Sequence, residues 1–175
     1  GLPLTLRTDT WQTNLDNFAR GKVDGISAIT QNETRKGLGR FSNPHVELVD
    51  YFFAPRTLAT RPFAELVNQR VAIPSGYAGI EFVRRHYPDM QIVEVDNLQH
   101  AIDIVIEGKA ELLFNSYIAL AFLLQQEGVT DIVPIKSMRA MGKRPLRLVT
   151  SHDNPLLAAV INKGLASITA AEQDA

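Results

Sequence analysis

Apolar positions fall into two alternating patterns along the chain. Short apolar runs bounded by Gly, Pro or Asn read as strands, and stretches with apolar residues every three or four positions read as helices. In the first third, Leu4–Leu6 reads as a short strand. Trp11, Leu15 and Phe18 give a helix over Thr10–Ala19, ended by Gly21 as a left-handed C-cap. Val23–Ile29 is a buried strand, Asn32–Gly39 a polar basic loop, and Glu47–Ala54 a strand stopped by Pro55. The pattern then restarts. Phe63–Asn68 is a short helix, Arg70–Ile73 a strand, Pro74–Tyr77 a turn and Ala78–His86 a helix. Gln91–Val95 is a strand, and Leu98–Glu107 a helix with an apolar stripe of Leu98, Ala101, Ile102, Val105 and Ile106, closed by Gly108. Glu111–Phe114 is a strand, Asn115 caps a helix over Tyr117–Gln126, and Asp131–Ile135 and Leu146–Thr150 are strands. Asn154 followed by Pro155 starts the last helix. Helix and strand alternate throughout, which predicts an α/β fold with mostly parallel sheets.

One stretch echoes another. Asn14–Leu15 leads through a helical pattern to Gly21–Lys22–Val23–Asp24 and an apolar strand; Asn97–Leu98 leads to Gly108–Lys109–Ala110–Glu111 and another. The repeat predicts two similar α/β lobes.

Composition narrows the function. The 175 residues carry 18 Lys and Arg against 19 Asp and Glu, a formal net charge of −1, which excludes a general nucleic-acid binder as partner. The absence of cysteine removes thiolate catalysis, disulfides and Cys-ligated metal. The longest apolar run, Ile118–Leu124, is far short of the roughly 20 residues that span a bilayer. Gly1–Leu2–Pro3 lacks the basic n-region of a signal peptide, so none is expected there, which is uninformative about compartment.

Catalytic motifs are missing. No Ser stands in a Gly-x-Ser-x-Gly elbow, and Pro74 occupies the glycine slot before Ser75. The four histidines have no metal-ligand spacing, and Arg35–Arg40 matches no phosphate loop, so neither metal nor cofactor is expected. Anion capture fits better. Arg35 follows a strand ending near Thr30, in the loop at its C-terminal end, where open α/β sheets bind ligands. An Arg there can hold a carboxylate by two parallel hydrogen bonds. Ser75, Gly76 and Tyr77 lie at a second strand end ahead of a helix, and Asn115 at a third. Taken singly these are a surface Arg, a turn and a helix cap. Together they describe a ligand cleft between lobes.

Gly21–Lys22–Val23–Asp24–Gly25–Ile26, Thr30, Glu33–Thr34–Arg35 and, six residues on, Phe41–Ser42–Asn43–Pro44 resemble the family 3 extracellular solute-binding proteins. These are the Venus-flytrap proteins of the periplasmic-binding fold. Gln69–Ile73, Ser75–Gly76, Leu98–Ala101 and Gly108–Glu111 continue the likeness, which covers nearly the whole chain. Asn154–Leu156, Asn162–Leu165, Ile168–Thr169 and Glu172 look like the tails of bacterial sensor domains that precede a histidine kinase or diguanylate cyclase.

The resemblance implies ligand-binding roles for Arg35 as the carboxylate clamp, Thr30 and Ser27 as hydroxyl and backbone contacts, Trp11 as a stacking ring, and Ser75, Gly76, Tyr77 and Ala78 as the second-lobe turn. Trp11 reads equally as a core residue of its helix. Ala78 stands where amino-acid binders commonly have Thr, and Asn115 where they commonly have Asp to neutralise the ammonium. An uncharged Asn cannot make that ion pair, so a carboxylate without an amine, or another small polar molecule, gains weight. Only ten residues precede Trp11, fewer than the family's first strand and helix need, so the resemblance implies an N-terminally truncated fold.

The expectation is therefore a two-lobed domain, with residues 1–56 plus 143–175 as one incomplete lobe and 57–142 as the other. It would close on a small carboxylate or amino-acid-like solute without catalysis. It would signal to a membrane-tethered kinase or cyclase module in the same full-length chain, from a periplasmic position tethered to the inner membrane, and a homodimer is compatible. A transporter's solute receptor is the alternative. A cyclic-acid dehydratase on the same fold would need an acid in the cleft, and Glu33, the nearest to Arg35, reads as solvent-facing. The effector domain of a transcription regulator would lack the Phe-Ser-x-Pro loop.

Overall fold

The computed structural model describes residues 4–169 and Glu172. In chain order its elements are α1 (Trp11–Ala19), β1 (Gly25–Ile29), β2 (Arg40–Phe41), β3 (Val46–Leu48), β4 (Asp50–Pro55), α2 (Arg56–Ala59), β5 (Arg70–Pro74), α3 (Ala78–His86), β6 (Gln91–Val95), α4 (Leu98–Ile106), β7 (Leu112–Ser116), α5 (Tyr117–Gln126), β8 (Ile132–Ser137), β9 (Arg144–Thr150) and α6 (Pro155–Ser167). The fold is mixed α/β, as the periodicity predicts. The expected glycines Gly21 and Gly108 take positive φ at helix ends, and so does Gly128 after α5. Leu4–Leu6 is no strand: both leucines are more than four-fifths exposed, and no ladder forms there.

The chain forms two compact units. One comprises Gly1–Gln12 and Leu48–Lys143, the other Thr13–Glu47 and Arg144–Ala175. The first boundary between these units thus lies before β4, whereas the expected one follows residue 56. The reason is pairing: β4 hydrogen-bonds to both β7 and β8, which ties Asp50–Pro55 to the sheet of the larger unit.

The larger unit is built on a five-stranded sheet in the order β6-β5-β7-β4-β8. Only β5 with β6 and β5 with β7 run parallel; β4 pairs antiparallel on both sides. The expected mostly parallel sheet is corrected here. Parallel pairing needs a crossover, and α3 and α4 supply those between β5, β6 and β7. Beyond them β4 enters from the other unit and β8 returns to it. Strand alternation splits the core in two. Phe53, Ala72 and Leu113 face α4 and α5; Phe52, Val71, Ile73, Leu112 and Phe114 face α3. At one end of the sheet the Arg70 guanidinium holds both Glu111 carboxylate oxygens and the Gly108 carbonyl. The hydrogen bonds from Arg70, opposed in part by burial, keep the Glu111 carboxyl below its ordinary range.

In the smaller unit β1, β2 and β3 all pair with β9, and β1 and β2 run antiparallel to it. Gly39 is required where β2 begins, because a Cβ there would stand 2.3 Å from the Thr150 carbonyl oxygen. Ser42, buried after β2, sews the motif loop to β9: its amide donates to Leu148 O at 2.9 Å, and its hydroxyl accepts from Leu148 N at 3.0 Å. The Phe-Ser-x-Pro signature is thus a structural seam. α6 starts as predicted, with the Asn154 side chain accepting from Leu157 N. The echo is only partial: Asn97 caps α4, whereas Asn14 lies inside α1.

Candidate functional site

Each unit carries its own cluster of the expected residues. In the smaller unit the cluster forms around Thr30. β1 reads exposed–buried–exposed–exposed–buried, so Ile26 and Ile29 are both buried although three apart. Strict alternation forbids this. The register with β9 slips between Ile26 and Ile29, and the bulge takes up the odd residue. Ser27 stands exposed at that irregularity. Beyond it, the bulge presents Thr30 to the start of β9. Asn32 then caps a single 3-10 turn, Glu33–Arg35: its side-chain oxygen accepts from Arg35 N at 3.1 Å and from the Thr34 hydroxyl at 3.0 Å. The turn folds Arg35 back so that its guanidinium donates to the Thr30 carbonyl at 3.2 Å. Arg144, at the first position of β9, donates to the Thr30 hydroxyl at 3.0 Å. Glu33 faces solvent, paired to Lys36 at 2.6 Å.

In the larger unit the turn Pro74–Tyr77 and Trp11 come together. The indole N–H donates to the Gly76 carbonyl at 2.8 Å, and the ring meets Tyr77 edge-on at 5.8 Å. Gly76 has φ +74°, and a Cβ there would lie 3.0 Å from the indole. Trp11 is half-buried, so it is neither a plain core residue nor an open platform; it anchors the turn. Ser75 is held by its amide to Val95 O at 2.8 Å. Ala78 begins α3, whose N-cap residue Tyr77 offers no side-chain cap, so the positive end of that helix is left to its backbone amides.

Asn115 is placed differently from the sequence expectation. It lies within β7, and Ser116 is the N-cap of α5. The register of β5 with β7 brings Pro74 and Asn115 to the same end of the sheet. Asn115 is only 6% exposed. Its side-chain oxygen accepts from Ser116 N at 2.7 Å, and a backbone N–H accepts no other assignment of the amide. The Nδ2 donor is therefore turned away, buried and without a hydrogen-bond partner. A buried orphan donor costs about 1–3 kcal/mol and calls for an acceptor.

Asn32 and Arg144 escape the sequence reading. The first was visible as an Asn-x-x-Arg turn signal. The second depends on antiparallel pairing with β1, which local periodicity does not reveal. Among the described residues no group of His, Asp and Glu could hold a metal ion. No helix there is long and apolar enough to cross a membrane.

The sequence profile of the bacterial extracellular solute-binding proteins, family 3, matches residues 1–174. The virulence sensor protein BvgS of Bordetella bronchiseptica is 23% identical over 162 residues, covering 92% of this chain and 13% of that protein. The BvgS of Bordetella pertussis is 24% identical over the same span. The chain thus spans about an eighth of the length of these relatives. Among solved structures, the B. pertussis BvgS VFT2 domain, in a double-mutant form, superposes with a TM-score of 0.84 at 22% identity, covering 95% of this chain and 71% of that one. An ancestral arginine-binding protein bound to arginine gives 0.83 at 17% identity, covering 96% and 76%. An ancestral amino acid-binding protein, a precursor of cyclohexadienyl dehydratase, gives 0.79 at 20%, covering 95% and 72%. These likenesses establish the two-lobed periplasmic-binding-protein fold.

Proposed function

The chain belongs to family 3 of the bacterial extracellular solute-binding proteins, and from that premise we propose that it is a sensor domain for a small carboxylate that carries no ammonium group. The observation that carries the proposal is the buried Nδ2 donor of Asn115. An amide N–H seeks an oxygen acceptor and repels an ammonium, whose protons are all donors. Arg35, positioned by the Asn32-capped turn, is the carboxylate clamp. The uncapped amides of α3 and the Trp11-anchored turn add a second anion-friendly surface.

Binding rather than turnover is the reading these groups support. Arg35, Thr30, Asn115 and the Ser75–Tyr77 turn bind and orient, and Glu33, the acid beside Arg35 in sequence, is engaged with Lys36 in solvent. Ligand-driven closure would shift the domain between two states by the ligand's differential affinity for them. The likeness to BvgS over 92% of the chain supports the sensor reading over a free transport receptor, with the domain periplasmic and linked to a membrane-tethered kinase or cyclase.

Calorimetric titration with succinate and L-aspartate tests the proposal, because the two four-carbon acids differ only in the ammonium. Succinate should bind the more tightly, and Arg35→Ala should abolish its heat. Preference for L-aspartate, or binding indifferent to Arg35, refutes it.

A further inference from the structure

Asn115 has an aromatic neighbour at its end of the sheet. Leu113 pairs with Phe53 across β7 and β4, and both pack into the core on the α4 and α5 side. Two residues along each strand, Asn115 pairs with Tyr51, so alternation places these two side chains on that same face. Direct cross-strand partners in an antiparallel pair hold their Cβ atoms about 4.5–5.5 Å apart. Tyr51 therefore stands beside the residue whose buried Nδ2 has no partner. A second ring extends the wall. Tyr117 opens α5 two residues after Asn115, and its amide donates to Val49 O at 3.0 Å, which ties it beside the start of β4. Its ring lies 5.2 Å from that of Tyr51 and stacks on Phe53 at 6.2 Å. The three rings grade outward: Phe53 is buried, Tyr51 half-buried and Tyr117 45% exposed. All of these residues belong to the larger unit.

We propose that Tyr51 and Tyr117 are specificity-determining residues that make the site selective for an aromatic carboxylate, an acid carried on a flat ring. The inference rests on the carboxylate reading above and adds the body of the ligand. An oxygen that accepts from Asn115 Nδ2 has Tyr51 as its neighbour across the strands, so the group bearing that oxygen runs along the phenol rings. Aromatic rings prefer offset or edge-on partners with centroids about 4.5–7 Å apart, and such pairs contribute beyond the apolar area they bury. Tyr51 already makes tilted contacts of this kind with Phe53 and Tyr117. A ligand ring adds one more member to the series, whereas a saturated ring or an open chain gains only its area. The exposed part of Tyr117 leaves ring surface for it.

Isothermal titration of the chain with benzoate, cyclohexanecarboxylate and succinate separates the possibilities. The two ring acids carry the same carboxylate on rings of equal carbon number and differ in flatness. Apolar burial alone would rank the bulkier cyclohexane ring first. Wild type should instead prefer benzoate by about 2- to 10-fold, the range that an aromatic pair gives. Tyr51→Leu should abolish that preference, whereas Tyr51→Phe, which keeps the ring, should retain it. Tyr117→Leu should lower it part of the way. Urea denaturation of each variant checks that the fold is intact. Equal binding of the ring acids to wild type, a preference for cyclohexanecarboxylate, or a Tyr51→Leu variant that weakens both in the same ratio overturns the inference. So does binding of succinate alone, and in that case the carboxylate reading stands without it. If none of the three acids binds at millimolar concentration, the carboxylate reading falls and this inference falls with it.

Discussion

Replacing Gly76 by Ala tests whether the turn that follows β5 is held in place by Trp11. Gly76 has φ +74°, and an added Cβ would meet the indole Cδ1 at 3.0 Å and Gln12 Oε1 at 3.0 Å. Two costs follow. A left-handed conformation costs an L-residue about 1–2 kcal/mol. Crowding the indole adds about 1–3 kcal/mol, because the ring is pinned by its 2.8 Å hydrogen bond to Gly76 itself and by Tyr77. Gln12 contributes little, since the end of its side chain can swing aside. Gly76→Ala alone should therefore cost about 2–5 kcal/mol, whereas in a Trp11→Ala background only the backbone cost of about 1–2 kcal/mol remains. The coupling between the two changes is about 1 kcal/mol or more. Urea denaturation of the four proteins of the double-mutant cycle reads it, at about 1–3 kcal/mol per molar urea for a protein of modest size. A Gly76→Ala cost that is the same with and without the indole would refute the argument that Trp11 anchors the turn.

Other predictions are as definite. Asn115→Asp converts the orphan donor into an acceptor and should raise affinity for L-aspartate relative to succinate about tenfold or more, read by calorimetry; its burial should also cost about 1–3 kcal/mol of stability. Phe114→Ala empties a site 1% exposed between Phe52 at 4.6 Å and Phe82 at 5.4 Å, and should cost about 3–5 kcal/mol in denaturant. His45 has its pKa lowered from 6.5 by burial, and its Nδ1 has no partner. The unfolded imidazole takes up a proton at about 6.5 while the folded ring does not, so stability falls as pH drops below about 6.5 until the folded ring also protonates. His45→Gln should flatten that part of the pH profile, which can contribute at most about 1.4 kcal/mol per pH unit.

Much of this was readable from residues alone. The helices Ala78–His86 and Tyr117–Gln126 and the strand Gln91–Val95 have the bounds that periodicity predicts, because their apolar faces and glycine stops act locally. The Asn154–Pro155 start was equally local. Long-range pairing was not. Nothing near Asp50–Pro55 announces that it pairs antiparallel with β7 and β8, so local periodicity does not give the sheet's direction. The apolar spacing of Leu4 and Leu6 suits a strand, but no ladder partner follows. At the site, Arg35, Gly76 and Tyr77 stood out by their places at strand ends. Asn115 was found for a cap role it does not play: Asn can equally end a strand, and only the neighbouring amide of Ser116 decides which of its two polar atoms is left over. Arg144 became visible only once a bulge in β1 and the register of β9 were known.

The central claim is that a ligand oxygen meets the Asn115 side-chain amide. Amide-resolved NMR of the chain, with the Asn115 pair assigned through Asn115→Asp, measures this directly. On saturation with succinate the two Nδ2 protons should separate further in shift and exchange more slowly with water, as one of them gains an acceptor. An Asn115 amide unchanged in shift and exchange, in a sample where calorimetry shows succinate bound, contradicts the claim.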